Sequence, residues 1–340
     1  MVRGNFLGAL ALGLAASAMS TQPAAAQEAW PSGPIQIVVP WSAGGATDAV
    51  MRVLAGEVSK ALEVPVTVVN QTGARGTVGT NAVITAPHDG NTWASGGVQD
   101  LGTYKVQGLL DTTLDDWHIF LIVRNAPVLS VNLDTPFQSP QDVAAFMNES
   151  GSEFTVGTSG IPSTAYSAIQ AFQAHVGGEF RAVAYEGGDA PTMVGVVSGE
   201  VMATTQSGPG QAPMIRGERV RPLAVLADSA LSIDGVPEIP AITDFYPDFS
   251  APGVTIQVGI FLPSDVPQAV IDRLGEVWEN EIANSQALKA YASANGSIFS
   301  PIWGDEAMAM GRAAVAETAW RMYDAGATAM SPADLGIPRP

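Results

Sequence analysis

The sequence predicts an α/β protein of two lobes that are joined by two crossover strands. Its 340 residues are enough for two domains. The order strand–loop–helix–strand appears near the N-terminus and again in the middle of the chain, and this order is typical of parallel sheets with right-handed crossovers. Because another strand and further helices follow the second unit, we expect the chain to cross back and complete the first lobe.

The first unit begins with the β-branched run Ile35–Val39, which predicts a buried strand that ends at Pro40. After a turn, apolar residues at helical spacing predict an amphipathic helix with the stripe Val50, Leu54, Val58 and Leu62. A second strand is predicted at residues 64–69, a glycine-rich loop at 71–79, a short helix at 82–86 and a third strand at 92–95.

Strands predicted at residues 120–123 and 128–132 are interrupted by Asn125 and Pro127, where we expect the chain to leave the first lobe. The second unit then repeats the pattern with a helix at 139–147, a strand at 154–157 and a helix at 165–176. A strand at 181–185, a helix capped by Asp189, and strands at 201–205 and 221–227 complete this unit.

The return to the first lobe is predicted from the last third of the chain. Residues 230–252 are rich in proline and acidic residues and predict an extended linker. A strand at 254–262 crosses back, and helices at 267–284 and 305–325 follow it. We therefore expect one lobe from residues 27–127 and 255–340, and the other lobe from residues 128–254.

The N-terminus predicts a signal peptide over residues 1–26. Arg3 precedes an apolar stretch at residues 6–19, and Ala24-Ala25-Ala26 supplies small residues for cleavage near Ala26. A membrane anchor or a buried helix is less favoured, because the apolar stretch is too short to span a bilayer. This pattern predicts export to the periplasm.

Composition excludes several functions. The 33 acidic residues outnumber the 15 basic ones, and the net charge of −18 disfavours binding to nucleic acid. The chain has no cysteine, so disulfides and thiolate chemistry are excluded. Enzyme motifs are missing, and the spacing of His88, His118 and His175 suggests no metal cluster. We predict no catalytic residue, no metal, no cofactor and a monomeric protein.

Three loops join a strand to a helix, at residues 40–48, 158–164 and 185–189. Ligands of open α/β sheets lie beyond the carboxyl ends of the strands, where first-turn N–H groups and small residues can hold an anion. The candidate ligand-binding residues are Trp41, Ser42, Ala43, Gly44, Gly45, Ala46, Thr47 and Asp48 in the first loop, Gly97 after the third strand, Thr158, Ser159, Gly160, Ile161, Pro162, Ser163 and Thr164 in the second loop, and Tyr185, Glu186 and Gly187 in the third loop.

Each loop also has a purely structural interpretation. Gly44 and Gly45 can serve a tight turn, Ser163 and Asp189 can cap helices, and Asp48 can interact with the helix dipole. Two equivalent loops in two lobes favour a shared cleft over this alternative. A catalytic triad is a spatial arrangement that sequence does not reveal, so a periplasmic hydrolase remains an alternative function.

The segment from Ile35 to Asp48 resembles the opening signature of the substrate-binding proteins of tripartite tricarboxylate transporters, the Bug-type receptors. The likeness continues, in order, through residues 69–76, 86–92, 185–191, 198–201, 221–225 and 236–240, and so spans nearly the whole mature chain. The resemblance implies a Venus-flytrap receptor of the type II-like architecture. It also implies that the first two loops grip a ligand carboxylate, that the third lines the cleft, and that the ligand passes to a membrane permease.

Four positions depart from the family pattern. Pro162, Tyr166 and Glu186 stand where a glycine, a histidine and often a basic residue are usual, and Trp41 replaces the usual phenylalanine. Reduced basic character argues against a highly charged ligand such as citrate. We expect a mono- or dicarboxylate, with or without an aromatic or amino-bearing portion. A ligand-sensing accessory protein of a signalling system is a further alternative.

Overall fold

The computed structural model describes residues 1, 4, 30–41, 43–158, 163–185 and 189–340. The signal peptide at residues 1–26 therefore lies outside the described residues, apart from Met1 and Gly4. So do the predicted ligand-binding residues Ser42, Ser159, Gly160, Ile161, Pro162, Glu186 and Gly187. Within the described ranges, no helix combines the length and the apolar character that a bilayer crossing requires.

Strands and helices alternate along most of the chain. The strands are β1 (Ile35–Val39), β2 (Val66–Asn70), β3 (Thr92–Gly97), β4 (Trp117–Asn125), β5 (Val128–Val131), β6 (Thr155–Thr158), β7 (Arg181–Ala184), β8 (Ala203–Thr204), β9 (Arg221–Val225), β10 (Ile256–Pro263) and β11 (Ile298–Trp303). The helices are α1 (Ala46–Leu62), α2 (Thr77–Ile84), α3 (Val98–Thr103), α4 (Pro140–Ser150), α5 (Thr164–Val176), α6 (Asp189–Ser198), α7 (Gly208–Arg216), α8 (Gln268–Val277), α9 (Gln286–Asn295) and α10 (Gly304–Asp324).

The strands form two mixed sheets, and apolar side chains cover both faces of each. The first sheet has the order β11-β4-β10-β3-β1-β2, and the second has the order β7-β6-β8-β5-β9. In each sheet, parallel pairs formed by consecutive strand–helix–strand units adjoin antiparallel pairs. Two buried apolar clusters pack around each sheet. The predicted two-lobed α/β architecture is confirmed.

The chain changes sheet twice. It leaves the first sheet at Asn125 and enters the second at Val128, and it returns between Val225 and Ile256. Arg124, beside the first crossing, donates hydrogen bonds to Asp228 Oδ1 (3.1 Å) and to Ser229 Oγ (2.9 Å), which follow β9. The two crossings therefore lie side by side, as expected for paired crossover segments.

The predicted β1–α1–β2 unit is present, and the apolar stripe of α1 is buried. The predicted loop at 71–79 is wrong in its second half, because α2 begins at Thr77 and ends at Ile84 instead of spanning residues 82–86. Gly79 lies inside this helix, at a position where a Cβ would stand 2.8 Å from the backbone oxygen of Gln71. Glycine here permits close packing of the helix and does not mark a loop.

The segment at residues 230–252 is not a free linker. Leu231, Ile233, Ile242 and Phe249 are buried and join the apolar clusters of the second sheet. A bridge pairs Leu231 with Ile239. The proline and acidic residues of segment 230–252 disfavour regular helix and strand. Burial of the apolar residues between them nevertheless stabilises the fold.

The sequence interpretation also missed α3, α7, α9 and β11. In α7, Pro213 lies inside the helix, where a proline normally argues against helical structure. The helix α3 has only six residues, which is too short for a periodic signal.

We expect Gly259→Ala to lower the free energy of unfolding by about 1–3 kcal/mol. Gly259 lies in β10 opposite a β-bulge in β4, and a Cβ there would stand 2.1 Å from the backbone oxygen of Phe120. Denaturant midpoints of the purified variants measure the effect. Gly56→Ala is the control, because Gly56 faces open space on α1 and alanine there should stabilise by about 0.5–1 kcal/mol. Equal midpoints for the two variants would contradict this account of the bulge.

Candidate functional site

The first candidate loop brings small, exposed residues to the start of α1. Gly44 has a φ of 82°, which is left-handed and favours glycine, and Gly45 is extended before the helix begins at Ala46. No side chain among the described residues caps this helix. Among the described residues, therefore, no side chain occupies the first-turn N–H groups of α1 at the carboxyl end of β1, where the sequence predicts anion binding.

Asp48 holds this loop in place. Its Oδ2 accepts hydrogen bonds from the Gly44 N–H (2.8 Å) and from Arg52 Nε (3.0 Å), while its Oδ1 accepts from Arg52 Nη2 (2.8 Å) and Asn70 Nδ2 (2.9 Å). Asn70 Nδ2 also donates to the Trp41 carbonyl (2.9 Å). The hydrogen bonds from Arg52, joined by those from Gly44 and Asn70, lower the pKa of Asp48 to about 2 against the opposing effect of burial. The structure thus places Asp48 behind the loop surface, with four donors on its carboxylate.

The second candidate loop leads from β6 into α5. Thr158 is buried at the end of β6. Ser163 caps α5, and its Oγ accepts a hydrogen bond from the Tyr166 N–H (3.1 Å). Ser163 thus caps α5, which is the structural role that its position in the sequence also permits, and it satisfies one of the first-turn donors.

The third candidate loop begins at Tyr185, after β7. This ring packs against α6, where a Cβ at Gly195 would stand 2.2 Å from Tyr185 Oη. Burial, together with Glu200, raises the pKa of Tyr185 to about 12. Asp189 is the first residue of α6, and burial raises the pKa of its carboxyl. Tyr185 therefore serves the packing of the second lobe.

A cavity of about 870 Å³ lies between the two sheets and draws its lining from both lobes. Its lining includes Ser163 and Thr164 from the predicted set. The other lining residues are Arg75, Gln99, Asp100, Tyr166, Ser167, Gln170, Gly253, Ile256, Glu317, Thr318, Trp320, Arg321, Met322, Asp324, Ala325, Ala327, Arg339 and Pro340. The cavity is large enough for a small organic ligand.

Trp41 and Gly97 line a second, much smaller pocket, which adjoins the cavity at Asp100 and is also lined by Tyr104. Asp100 lines both spaces and therefore connects the end of β1 with the cavity that α5 borders. The described residues from Ala43 to Thr47 line neither space. Of the predicted residues, Trp41 and Gly97 thus line the smaller pocket, Ser163 and Thr164 line the cavity, and Asp100 borders both.

Sequence reasoning missed Arg75, Gln99 and Asp100. Arg75 has a φ of 58° in a left-handed stretch before α2, and its carbonyl accepts a hydrogen bond from Tyr104 Oη (3.3 Å). The flanking glycines Gly73 and Gly76 were the only signal, since they permit the tight loop that presents this arginine. Asp100 follows β3 and gave no motif, because its position depends on how the sheets are arranged.

The charges around the cavity differ in whether they have partners. Arg321 lies 3.6 Å from Glu317, and Arg339 lies 2.5 Å from Asp324. Arg75 and Asp100 make no side-chain hydrogen bond or ion pair with any residue that the structure describes. Burial raises the pKa of Asp100 to about 6, although the charge of Arg75 acts in the opposite direction. The cavity therefore presents one cation and one carboxylate that lack a close partner within the described chain.

The three histidines lie elsewhere. His88 contacts Asp265 (2.5 Å), His118 contacts the Ser264 carbonyl (3.2 Å), and His175 packs against the rings of Tyr246 and Phe249. None of them lines the interlobe cavity. In the described part of the chain, no three His, Cys, Asp or Glu side chains lie close enough together to hold a metal ion.

Comparison with known proteins finds relatives that match most of the chain. The family model described as "Tripartite tricarboxylate transporter family receptor" matches residues 50–300. Protein BugT of Bordetella pertussis is 29% identical over 271 residues, which are 78% of this chain and 81% of that protein. A TctC solute binding protein from Polaromonas, solved without ligand, is similar with a TM-score of 0.71 and 25% identity, covering 86% of this chain and 97% of that chain. A Rhodopseudomonas palustris protein solved with adipate shares the fold, with a TM-score of 0.64, 23% identity, and coverage of 88% of this chain and 98% of that chain.

We expect Asp48→Asn to lower the free energy of unfolding by about 1–3 kcal/mol at pH 7, because it removes charge from four hydrogen bonds. Folding lowers the pKa of Asp48 from 3.8 to about 2, so its contribution is complete above pH 3.8 and is lost as the pH falls through about 2. Denaturant titrations at several pH values should show a difference that shrinks between pH 5 and pH 2. The exposed Asp134, replaced by asparagine, is the control, and an equal loss in that variant would contradict the assignment.

Proposed function

The chain belongs to the tripartite tricarboxylate transporter family of receptors, and on that premise we propose that it captures a small organic carboxylate between its lobes and delivers it to a permease of that transporter type. The family and the fold are those of periplasmic solute-binding receptors. The observation that carries the proposal is the interlobe cavity, which is lined both by Arg75 of the first lobe and by the first residues of α5.

The chemistry of this cavity suits a carboxylate. The first-turn N–H groups of α5, a helix of 13 residues, carry partial positive charge, and only the Tyr166 N–H is taken by the Ser163 cap. Ser167 and Gln170 add polar side chains beside that helix start. Charge-assisted hydrogen bonds contribute about 1.5–3 kcal/mol each, so four or five of them support micromolar affinity after ordering costs.

The balance of charge favours one or two ligand carboxylates. The sequence predicts little basic character near the cleft. In the structure, however, three arginines line the cavity. Two of them, Arg321 and Arg339, already have carboxylate partners, and this leaves Arg75 for a ligand. Trp320 and Tyr166 offer aromatic surface to an apolar portion of the ligand. Adipate, the dicarboxylate bound by the Rhodopseudomonas palustris relative, is a ligand of this class.

We place the lobe boundaries at residues 127/128 and 254/255, within the two segments where the chain changes sheet. Bending of these segments would close the lobes on the ligand, because a ligand in the cavity contacts both sides only when it is shut. Export by cleavage near Ala26, action in the periplasm and a monomeric state complete the proposal.

We expect dicarboxylates to raise the melting temperature of the protein after any carried ligand has been removed by unfolding and refolding. Isothermal titration then gives the affinity, which Arg75→Gln should weaken about tenfold or more, since it removes the cation without a close partner. Arg312→Ala is the control, because Arg312 pairs with Asp115 on the exposed surface and does not line the cavity. Failure of every mono- and dicarboxylate to stabilise the stripped protein would refute the proposal.

Delivery needs a separate measurement. Spheroplasts that retain the permease but have lost their periplasm should take up the labelled ligand only when the purified receptor is added back. Uptake that is independent of added receptor would remove the transport role while leaving ligand binding intact.

A further inference from the structure

Building on the proposed function, we propose that this cavity selects carboxylates that also carry an ammonium group, with Asp100 binding the ammonium and Arg75 binding a carboxylate. Both residues line the cavity from the first lobe, and each lacks a close partner of opposite charge in the described chain. A zwitterionic ligand would supply both partners at once.

Asp100 is held in a position from which it can reach a ligand. It lies in the first turn of α3, directly after β3, and it lines both the interlobe cavity and the smaller pocket beneath Trp41. Its carboxylate is packed so closely that a Cβ at Gly97 would stand 3.1 Å from Oδ2. The absence of a side chain at Gly97 therefore leaves the room that this carboxylate occupies.

The polar neighbours of Asp100 are committed to other acceptors. Gln99 Nε2 donates to the Thr255 carbonyl (2.5 Å), while its Oε1 accepts from the Gln257 N–H (3.2 Å). Thr103 Oγ1 donates to the Gln99 carbonyl (2.7 Å), and Tyr104 Oη donates to the Arg75 carbonyl. A partly buried carboxylate that its surroundings leave without donors is expensive to maintain, unless a ligand or water supplies them.

Arg75 does not supply them. Its charge acts on Asp100, but no N···O distance between the two falls within 4.0 Å. The other acidic groups on the cavity are engaged, since Glu317 Oε2 accepts from the Gly253 N–H (2.7 Å) and Asp324 pairs with Arg339. Asp100 is thus the carboxylate of this cavity that is best placed to receive a cationic group.

Two other roles for Asp100 lead to different results. If Asp100 only neutralises Arg75, its removal should strengthen the binding of simple dicarboxylates and amino dicarboxylates alike. If Asp100 binds ligand carboxylates in its protonated form, its removal should weaken both classes alike. Only an ammonium site makes the effect depend on the amino group of the ligand.

Isothermal titration with matched pairs tests the assignment, using succinate against aspartate, glutarate against glutamate, and adipate against 2-aminoadipate. The wild-type protein should bind at least one amino member tenfold or more tightly than its partner. Asp100→Asn should weaken that amino member by tenfold or more and leave the partner without the amino group unchanged or tighter. Asp272→Asn removes the same charge from the exposed surface of α8, away from the cavity, and should change neither affinity.

Asp100→Asn should remain folded, because asparagine has the same shape and carries no charge to bury. Its melting temperature without ligand, at or above that of the wild-type protein at pH 8, checks this point. Carboxylates that bind without any preference for the amino member would overturn this inference alone. A panel in which no carboxylate binds would overturn both this inference and the proposed function.

Discussion

The loop that joins β1 to α1 depends on one buried carboxylate, that of Asp48. Four donors converge on it from the turn, from its own helix and from the end of β2. Asn70 extends the same network to the carbonyl of Trp41, so that the loop is fastened at both of its ends. These hydrogen bonds can hold a loop of small residues in one conformation although its side chains are too small to pack extensively.

Asp48 and Asp100 show two opposite uses of a carboxylate within one lobe. Hydrogen bonds from Arg52, Gly44 and Asn70 keep Asp48 charged and lower its pKa, whereas burial without donors raises the pKa of Asp100 to about 6. The first arrangement contributes stability, and the second gives up stability at a place where a ligand can restore it. Two aspartates in the first turns of α1 and α3 thus have opposite roles, a structural one for Asp48 and, as we propose, a ligand-binding one for Asp100.

Much of the fold could be predicted from the sequence, because strands such as β1 and helices such as α1 and α5 carry strong apolar periodicity. The errors arose where one residue type has two physical meanings. Gly79 permits close packing inside α2, although a glycine in a string of glycines usually marks a loop. Residues 230–252 resemble a linker by composition, but their apolar members cover the second sheet.

The candidate site was predictable only in part. Ser163 and Thr164 could be placed from the strand–loop–helix pattern, and the structure puts them on the cavity. Arg75 and Asp100 could not, because they are 25 residues apart in the chain and line one cavity only through the order of strands in the first sheet. Charge complementarity between such distant residues leaves no local pattern to read.

The hydrogen bonds of Gln99 join α3, which carries Asp100, to the segment by which the chain returns to the first sheet. Its amide group is tied to the backbone of Thr255 and Gln257, where the returning chain enters β10. Asp100 is the next residue along a short, rigid turn of helix. If the lobes close by bending of the crossover segments, as we propose, a displacement of the Asp100 carboxylate would pass through the peptide bond to Gln99 and through its hydrogen bonds to the start of β10.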